Sequence, residues 1–360
     1  LENLMVSALA VYRSFQNLLL GQDFDRVYVF NGRFAICRAV LRACQSRGVD
    51  CFIHERGPDH GHYAIFENTF CHDLDYVHEA IETAWAEAGN GTERTERAER
   101  FFLERAEGIE QSWYSYIDGQ EAGRLPENWD GSRRNVVVFL SSEDEFAAIG
   151  DQWNLGLYES QADGLRRILR SLEGDSGLEV YLRIHPNLRG VSNEQTRELA
   201  RLESPILTVV PADSPISSYA LLKHASAVVT FGSTVGIEAV YWGVPSILAG
   251  QSFYRGLGAT YNPRTHEELC GMLRSGLEAR PVEGALKYGY YMKSFGVPFR
   301  YYRAEGVFEG RFKGVRVLPG PDSLAKAAIL RGLPPAERAL RALSLRRNRS
   351  LLGGGRRPRR

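Results

Sequence analysis

The chain has 360 residues, of which 44% are apolar and 24% charged, and its 44 basic and 44 acidic side chains cancel to a formal net charge of zero. That length is more than one hydrophobic core usually serves, so two domains are expected, and the balanced charge speaks against a dedicated nucleic-acid binder. Five scattered cysteines (Cys37, Cys44, Cys51, Cys71 and Cys270) include no C-x-x-C pair, as in reduced cytoplasmic proteins, and no apolar run is long enough for a transmembrane helix.

Residues 1–20 place apolar side chains at mixed three- and four-residue steps and read as a helix, without the layout of a signal peptide. A start at Leu1 rather than a methionine raises the expectation of a fragment or an excised domain. Residues 26–30 read as a strand, Asn31-Gly32-Arg33 as a turn, 34–47 as an amphipathic helix stopped by Gly48, and 49–54 as a second strand. This is one strand–helix–strand unit of a parallel sheet. Ligand-meeting loops in such sheets sit at the carboxyl ends of strands, so Asn31 and Arg33 become candidate ligand contacts.

Residues 55–78 show no clear period. Their histidines (with His54: His60, His62, His72, His78) and Asp59, Asp73 and Asp75 raise the question of a metal, but no tetrahedral ligand set has a recognisable spacing. Residues 79–116 read as charged helix with a break at Gly89-Asn90-Gly91, and the turn-dense stretch 119–134 reads as a linker. Strands at 135–140, 178–184 and 206–210 then alternate with helices at 160–172, 193–202 and 217–224. This alternation predicts a doubly wound α/β domain. A last helix is expected at 265–277, capped by Thr265 with Glu268 three residues on, before an aromatic-rich segment from 280 to 303. The arginine-rich end, 341–360, contains Gly353-Gly354-Gly355 and reads as a disordered tail drawn to anionic membrane surfaces.

The richest stretch is 227–250. A β-branched run, Ala227 to Phe231, leads into Gly232-Ser233-Thr234-Val235-Gly236, then a short helix stopped at Gly243, then Pro245 and another apolar run. A strand, a polar glycine-rich turn and a helix start favour an anion, because free N–H groups and the helix dipole both attract negative charge. Ser233 and Thr234 read equally as helix caps. Glu238, one turn later among apolar neighbours, needs a partner if buried and reads as an acceptor for ribose hydroxyls, or as a first-turn helix acid.

Arg183 and His185 share a strand face, with Pro186 closing the strand. They suit a phosphate contact, the bland alternative being a strand-end histidine bonded to backbone. Ser141 to Glu145 offers two hydroxyls and three acids after a strand. Glu143 and Asp144 are the candidate catalytic carboxylates, against a capping box of Ser142 and Glu145. There is no Walker loop, no G-x-G-x-x-G after a strand and no G-x-S-x-G.

In order, the hydroxyl–acid turn, R-x-H-P-N (183–187), S-Y-A-L-L (218–222), G-S-T-x-G-x-E-A-x-x-x-G-x-P (232–245) and S-x-Y-x-x-L-G (252–258) occur on successive units. This series resembles the bacterial capsule and surface polysaccharide biosynthesis glycosyltransferases, with their Kdo-transferase-like and sialyltransferase-like groups, and the wider GT-B architecture. The resemblance covers 135–300 well and the turn at 31–33 more loosely. It implies two Rossmann-like doubly wound domains facing a cleft: an acceptor-side domain at 1–130, a nucleotide-sugar domain at 131–280, and a segment at 281–340 crossing back.

By the same resemblance His185, Pro186, Arg183, Gly232, Ser233 and Thr234 meet the donor phosphates and Glu238 the nucleoside. The expected partners are a nucleotide sugar, such as CMP-Kdo, and a polysaccharide or lipid-linked glycan acceptor, with no metal or further cofactor. The expected place is the cytoplasm, at the inner face of the membrane. A teichoic-acid-type polyol-phosphate transferase and a non-catalytic assembly scaffold are the alternatives.

Overall fold

The computed structural model describes residues 2–112, 115–146, 149–307 and 309–317. In chain order they form α1 (Glu2–Gly21), β1 (Val27–Phe30), α2 (Ala35–Arg47), β2 (Cys51–Arg56), β3 (His62–Glu67), α3 (Leu74–Glu87) and α4 (Thr92–Ala106). There follow β4 (Arg134–Phe139), α5 (Gln161–Leu172), β5 (Leu178–Arg183), α6 (Glu194–Leu199), β6 (Leu207–Val210), α7 (Ser218–His224), β7 (Ala227–Thr230), α8 (Val235–Tyr241) and β8 (Ser246–Leu248). Then come α9 (His266–Ser275), α10 (Glu283–Met292), β9 (Val297–Pro298), β10 (Tyr302–Ala304), β11 (Gly310–Phe312) and β12 (Val315–Val317). Residues 1–298 form one compact unit and the chain from 299 a second; in that second unit β10, β11 and β12 make a small antiparallel sheet. The arginine-rich stretch 341–360 lies outside the described residues.

The larger sheet of the first unit is entirely parallel, in the order β6-β5-β4-β7-β8. Its central strands are apolar on both faces, as a sheet covered by helices on both sides requires: Val136, Val137, Val138, Val228 and Val229 are all buried. From β4 the chain builds outward in one direction to β6, then returns beside β4 with β7 and builds the other way. The order therefore reverses between β4 and β7, and it is outside the carboxyl ends of strands at such a point that a crevice opens.

The smaller sheet, β1-β2-β3-β9, departs from the doubly wound expectation. Only β1 and β2 run parallel, and β3 and β9 join antiparallel. The physical cause is the short link between β2 and β3, a turn at 57–61 that has no room for a crossover helix. The class is nonetheless α/β, with the parallel pair at its start as expected. Tyr28 and Phe30 on the outer face of this sheet are exposed, as are Leu4, Met5 and Val6 of α1.

The stretch 119–134 lies between the two sheets in the chain, yet the sheets share a core. One buried cluster contains Ile53 and Phe66 of the smaller sheet together with Ile237 and Tyr254 from the other half. α10 packs on α3 and α4, with the ring of Tyr288 edge-on to Phe101 and Lys293 paired to Glu104 at 2.7 Å. That packing is close because Gly289 sits over Ala98: a Cβ there would lie 2.5 Å from the Ala98 carbonyl oxygen.

Candidate functional site

A cavity of about 510 Å³ opens at the carboxyl ends of β4, β5 and β7, where the strand order reverses. Its walls bring together Ser141 and Glu145 after β4, Arg183, His185, Pro186 and Asn187 at the end of β5, and Gly232, Ser233 and Thr234 after β7. Tyr219, Glu238 and Arg105 close its floor, and Arg33 reaches it from the smaller sheet.

The turn after β7 is shaped by two close approaches. Gly232 has φ 156°, and a Cβ on it would lie 2.8 Å from the Gln251 carbonyl oxygen. A Cβ on Gly236 would overlap the Tyr254 hydroxyl and the Thr230 Oγ1. The Tyr254 hydroxyl in turn donates to the Ser233 carbonyl at 2.6 Å, fixing the turn from below. The expected helix-end donors prove to be engaged. The amides of Gly236, Ile237 and Glu238 turn back on the carbonyls of Ser233 and Thr234, and that of Val235 on the Ser233 hydroxyl. Groups able to meet an anion here are thus the turn's own, at Gly232, Ser233 and Thr234, rather than those of the seven-residue α8.

His185 is held in one tautomer. Its Nδ1 accepts the Asn187 amide at 3.1 Å, so the proton of the neutral ring sits on Nε2. Desolvation first, then the charges of Arg183 and Arg105, push its pKa down to about 4, so near neutrality it is an uncharged N–H donor. The ring of Tyr116 packs edge-on against it with centroids 5.0 Å apart. Arg183 is 2% exposed, and its guanidinium is tied to the Pro211 carbonyl at 2.5 Å and to Ser218 Oγ at 3.3 Å. Burial lowers its pKa to about 10, which leaves it charged. It lines the cavity, with Nη1 bound to backbone and Nε to a serine hydroxyl.

Glu238 is 1% exposed, and both of its carboxylate oxygens have partners. Oε1 accepts from Arg105 Nε at 3.0 Å and lies 2.9 Å from Arg105 Nη2, while Oε2 accepts the Tyr219 hydroxyl. Burial, then the charge of Glu238, raises the Tyr219 pKa, so the phenol remains a donor. Arg105 also donates from Nη2 to Thr234 Oγ1 at 3.2 Å. Burial, the largest single influence, would lower the Arg105 pKa, but Glu238 with Tyr219 and Tyr288 together turn the net shift upward.

The acidic turn after β4 does not bring the two expected carboxylates, Glu143 and Asp144, to the cavity wall. Residues 143–145 form a single 3-10 turn, which sends successive side chains in different directions. Glu143 accepts the Gln161 amide at 2.6 Å, at the start of α5, and Asp144 is exposed beside Ser142; neither lines the cavity. Glu145 does, with Oε1 accepting from Asn187 Nδ2 at 3.1 Å. Desolvation at the cavity wall, then Asp144, raises its pKa against the opposing pull of Asn187 and Arg33. The Ser142–Glu145 capping box is not formed, since Ser142 makes no side-chain cap.

Of the turn after β1, Arg33 reaches the site and Asn31 does not. Asn31, at φ 64°, accepts the Arg33 amide on Oδ1 at 3.1 Å and donates to Glu55, which is a turn-building role. Arg33 Nη1 donates to the Glu145 carbonyl at 2.9 Å, joining the smaller sheet to the acidic turn. Sequence reasoning missed Arg105, Tyr219 and His72 as wall residues. Among the described residues no group of three or more His, Cys, Asp and Glu side chains is arranged for a metal ion: His62 pairs with Asp59, and His54 stacks on Tyr63.

Residues 102–271 match the family described as capsule polysaccharide biosynthesis protein, which bears out the resemblance read from the motifs. No curated protein matches the chain. Among solved structures, the chain is similar to KpsC of Thermosulfurimonas dismutans, a beta Kdo 2,4 transferase (17% identity, 74% of this chain and 79% of that one, TM-score 0.48). It is similar also to a KpsC beta Kdo 2,7 transferase of the same organism (15%, 77% and 80%, TM-score 0.44) and to S. aureus MnaA in a UDP co-structure (12%, 81% and 76%, TM-score 0.33). Likeness of this depth specifies neither a donor nor an acceptor.

Proposed function

We propose that this chain, whose residues 102–271 match the capsule polysaccharide biosynthesis family, is a glycosyltransferase that takes its sugar from a nucleotide-sugar donor seated in the cavity between β4 and β7. The observation that carries this reading is the meeting of an N–H-donating His185, the Gly232–Thr234 turn and an acidic turn at the one point where the parallel sheet reverses its order. A cavity of about 510 Å³ falls within the range usual for sites that bury a ligand of nucleotide size.

In this reading the turn amides and His185 Nε2–H stabilise the negative charge that builds on the leaving phosphate as the glycosidic bond breaks. A neutral donor suits that task. It needs no proton uptake, and its strength does not vary across physiological pH. Glu145, with its raised pKa, faces the same space and is placed to take the proton of an acceptor hydroxyl. The acceptor is a growing surface glycan, entering from the side that carries Arg33.

A thermal-shift panel of CMP-, UDP-, GDP- and TDP-sugars tests the donor. One member at 100 times its dissociation constant should stabilise the protein by about 2.7 kcal/mol. His185→Ala should still fold, at the cost of the Asn187 cap of about 0.5–2 kcal/mol, and transfer sugar at least about 100-fold more slowly. A panel without a single shift, or full transfer by His185→Ala, would contradict the reading.

A further inference from the structure

We infer that Arg105 is the cationic contact for the donor's phosphate, and that Glu238 and Tyr219 position its guanidinium instead of binding the ribose. The inference rests on the cavity being a nucleotide site and assigns charges within it. Three residues supply positive charge or a donor near the turn after β7, and they differ in what is left to give. Arg183 is 2% exposed, with Nε and Nη1 committed to Ser218 and the Pro211 carbonyl. His185 is uncharged near neutrality. Arg105 lines the cavity with its side chain 32% accessible, its Nε turned to Glu238 and its Nη2 to Thr234, so its guanidinium meets the cavity more openly than that of the buried Arg183.

Glu238 is nearly the reverse case. Its side chain is 2% accessible, Oε1 takes both Nε and Nη2 of Arg105, and Oε2 takes the Tyr219 hydroxyl. A ribose hydroxyl would have to displace a charged partner at Oε1, or share Oε2 with the Tyr219 hydroxyl on a side chain only 2% accessible. The carboxylate instead clamps one edge of the guanidinium, and Thr234 Oγ1 receives Nη2, so the fork is anchored to the Gly232–Thr234 turn. An arginine held this way loses little rotamer freedom when it binds, which favours a phosphate oxyanion over a mobile lysine-like contact.

Arg105 also lies close enough to His185 that its charge helps to keep the imidazole neutral, so the two donors address one neighbourhood. The link is long-range: Arg105 ends α4 and Glu238 lies in α8, 133 residues later. The donor site is therefore completed by a helix outside the parallel sheet.

The test is isothermal titration of wild type, Arg105→Gln, Arg105→Lys and Glu238→Gln with CMP, CDP, UDP, GDP and TDP and with the corresponding nucleosides. The base that wild type prefers is carried forward. Arg105→Gln is expected to weaken the nucleotide about 10- to 100-fold, to flatten the salt dependence of its affinity, and to leave the nucleoside within twofold. Arg105→Lys should recover part of the loss. Glu238→Gln should leave nucleoside affinity within twofold, whereas a ribose contact would lose about tenfold or more there. Circular dichroism and Tm identify any variant that does not fold, in which case Arg105→Lys decides. If wild type binds nucleotide and Arg105→Gln binds it equally well, or if Glu238→Gln loses the nucleoside, the assignment is overturned while the donor site stands. If wild type binds none of the panel, the donor reading falls and this assignment with it.

Discussion

At the scale of single residues, the site separates side chains that build from side chains that act. Glu143, Asp144 and Glu145 are consecutive and chemically alike, yet Glu143 caps a helix start, and of the two exposed side chains that follow only Glu145 lines the cavity. Glu145→Gln is therefore expected to cut kcat by about 100-fold or more, with Asp144→Asn and Glu143→Gln within tenfold in steady-state transfer assays. The order would be reversed if the acid lay at Asp144. Because the Glu145 pKa is raised, the rate should fall on the acid side through a midpoint above the ordinary 4.5 of a glutamate, since protonation removes the base. His185 adds a second sign. It stays neutral until about pH 4, so affinity for a nucleotide sugar, whose diester phosphates do not titrate in this range, should stay flat from pH 8 to pH 5. Tightening through pH 6.5 with uptake of one proton would show an imidazolium contact instead. Much of this was legible in sequence. R-x-H-P-N and G-S-T pointed to residues that do line the cavity, because both are local devices, a strand end and a tight loop. Arg105 carried an unused signal: it continues the apolar stripe of Ala98, Phe101 and Phe102 at helical spacing, and a charge on a buried stripe demands a partner. That the partner is Glu238 could not be read, since nothing in the chain ties residues so far apart.

At the scale of elements, the alternating strands and helices from 134 to 248 fell where their periods and caps put them. Ser160, Asn193, Ser217 and Thr265 all cap helices through side-chain oxygens, and Gly48 and Gly243 end theirs at positive φ. The missed elements are those whose reason lies elsewhere in the molecule. β3 is short and forms because it can join β2 antiparallel. α10 carries aromatics around most of its circumference, so no single apolar stripe marks it, and it forms between α3 and α4. The contact at Gly289 gives the packing a direct check. Gly289→Ala would push a methyl toward the Ala98 carbonyl and the Phe102 ring, 2.5 and 2.7 Å away, at an expected cost of about 1–3 kcal/mol. A Tm equal to wild type in calorimetry would show that α10 does not pack on α4 this closely. Since α4 carries Arg105, the same variant should also loosen nucleotide affinity.

At the scale of the whole described unit, the two sheets are joined by a common core and by arginines of the smaller half that reach the larger one. Arg33 holds the Glu145 carbonyl, Arg38 holds the Ile149 carbonyl at 2.8 Å, and Arg105 holds Glu238. The sequence pattern foretold two α/β layers but not this shared interior, because turn density at 119–134 marks a change of sheet and carries no information on packing across it. The cavity is lined from both halves: the parallel sheet supplies the Gly232–Thr234 turn, proposed above to meet the donor phosphate, and the other half supplies Arg33 and Arg105. The most direct measurement is a crystal structure of the protein soaked with the nucleotide it binds best. The expected result is a phosphate oxygen within hydrogen-bonding distance of the Gly232–Thr234 amides and of His185 Nε2, with the glycosyl position facing Glu145. A nucleotide bound outside the cavity, or seated in it with its phosphate turned away from Gly232 and His185, would contradict the assignment of this cavity as the donor site.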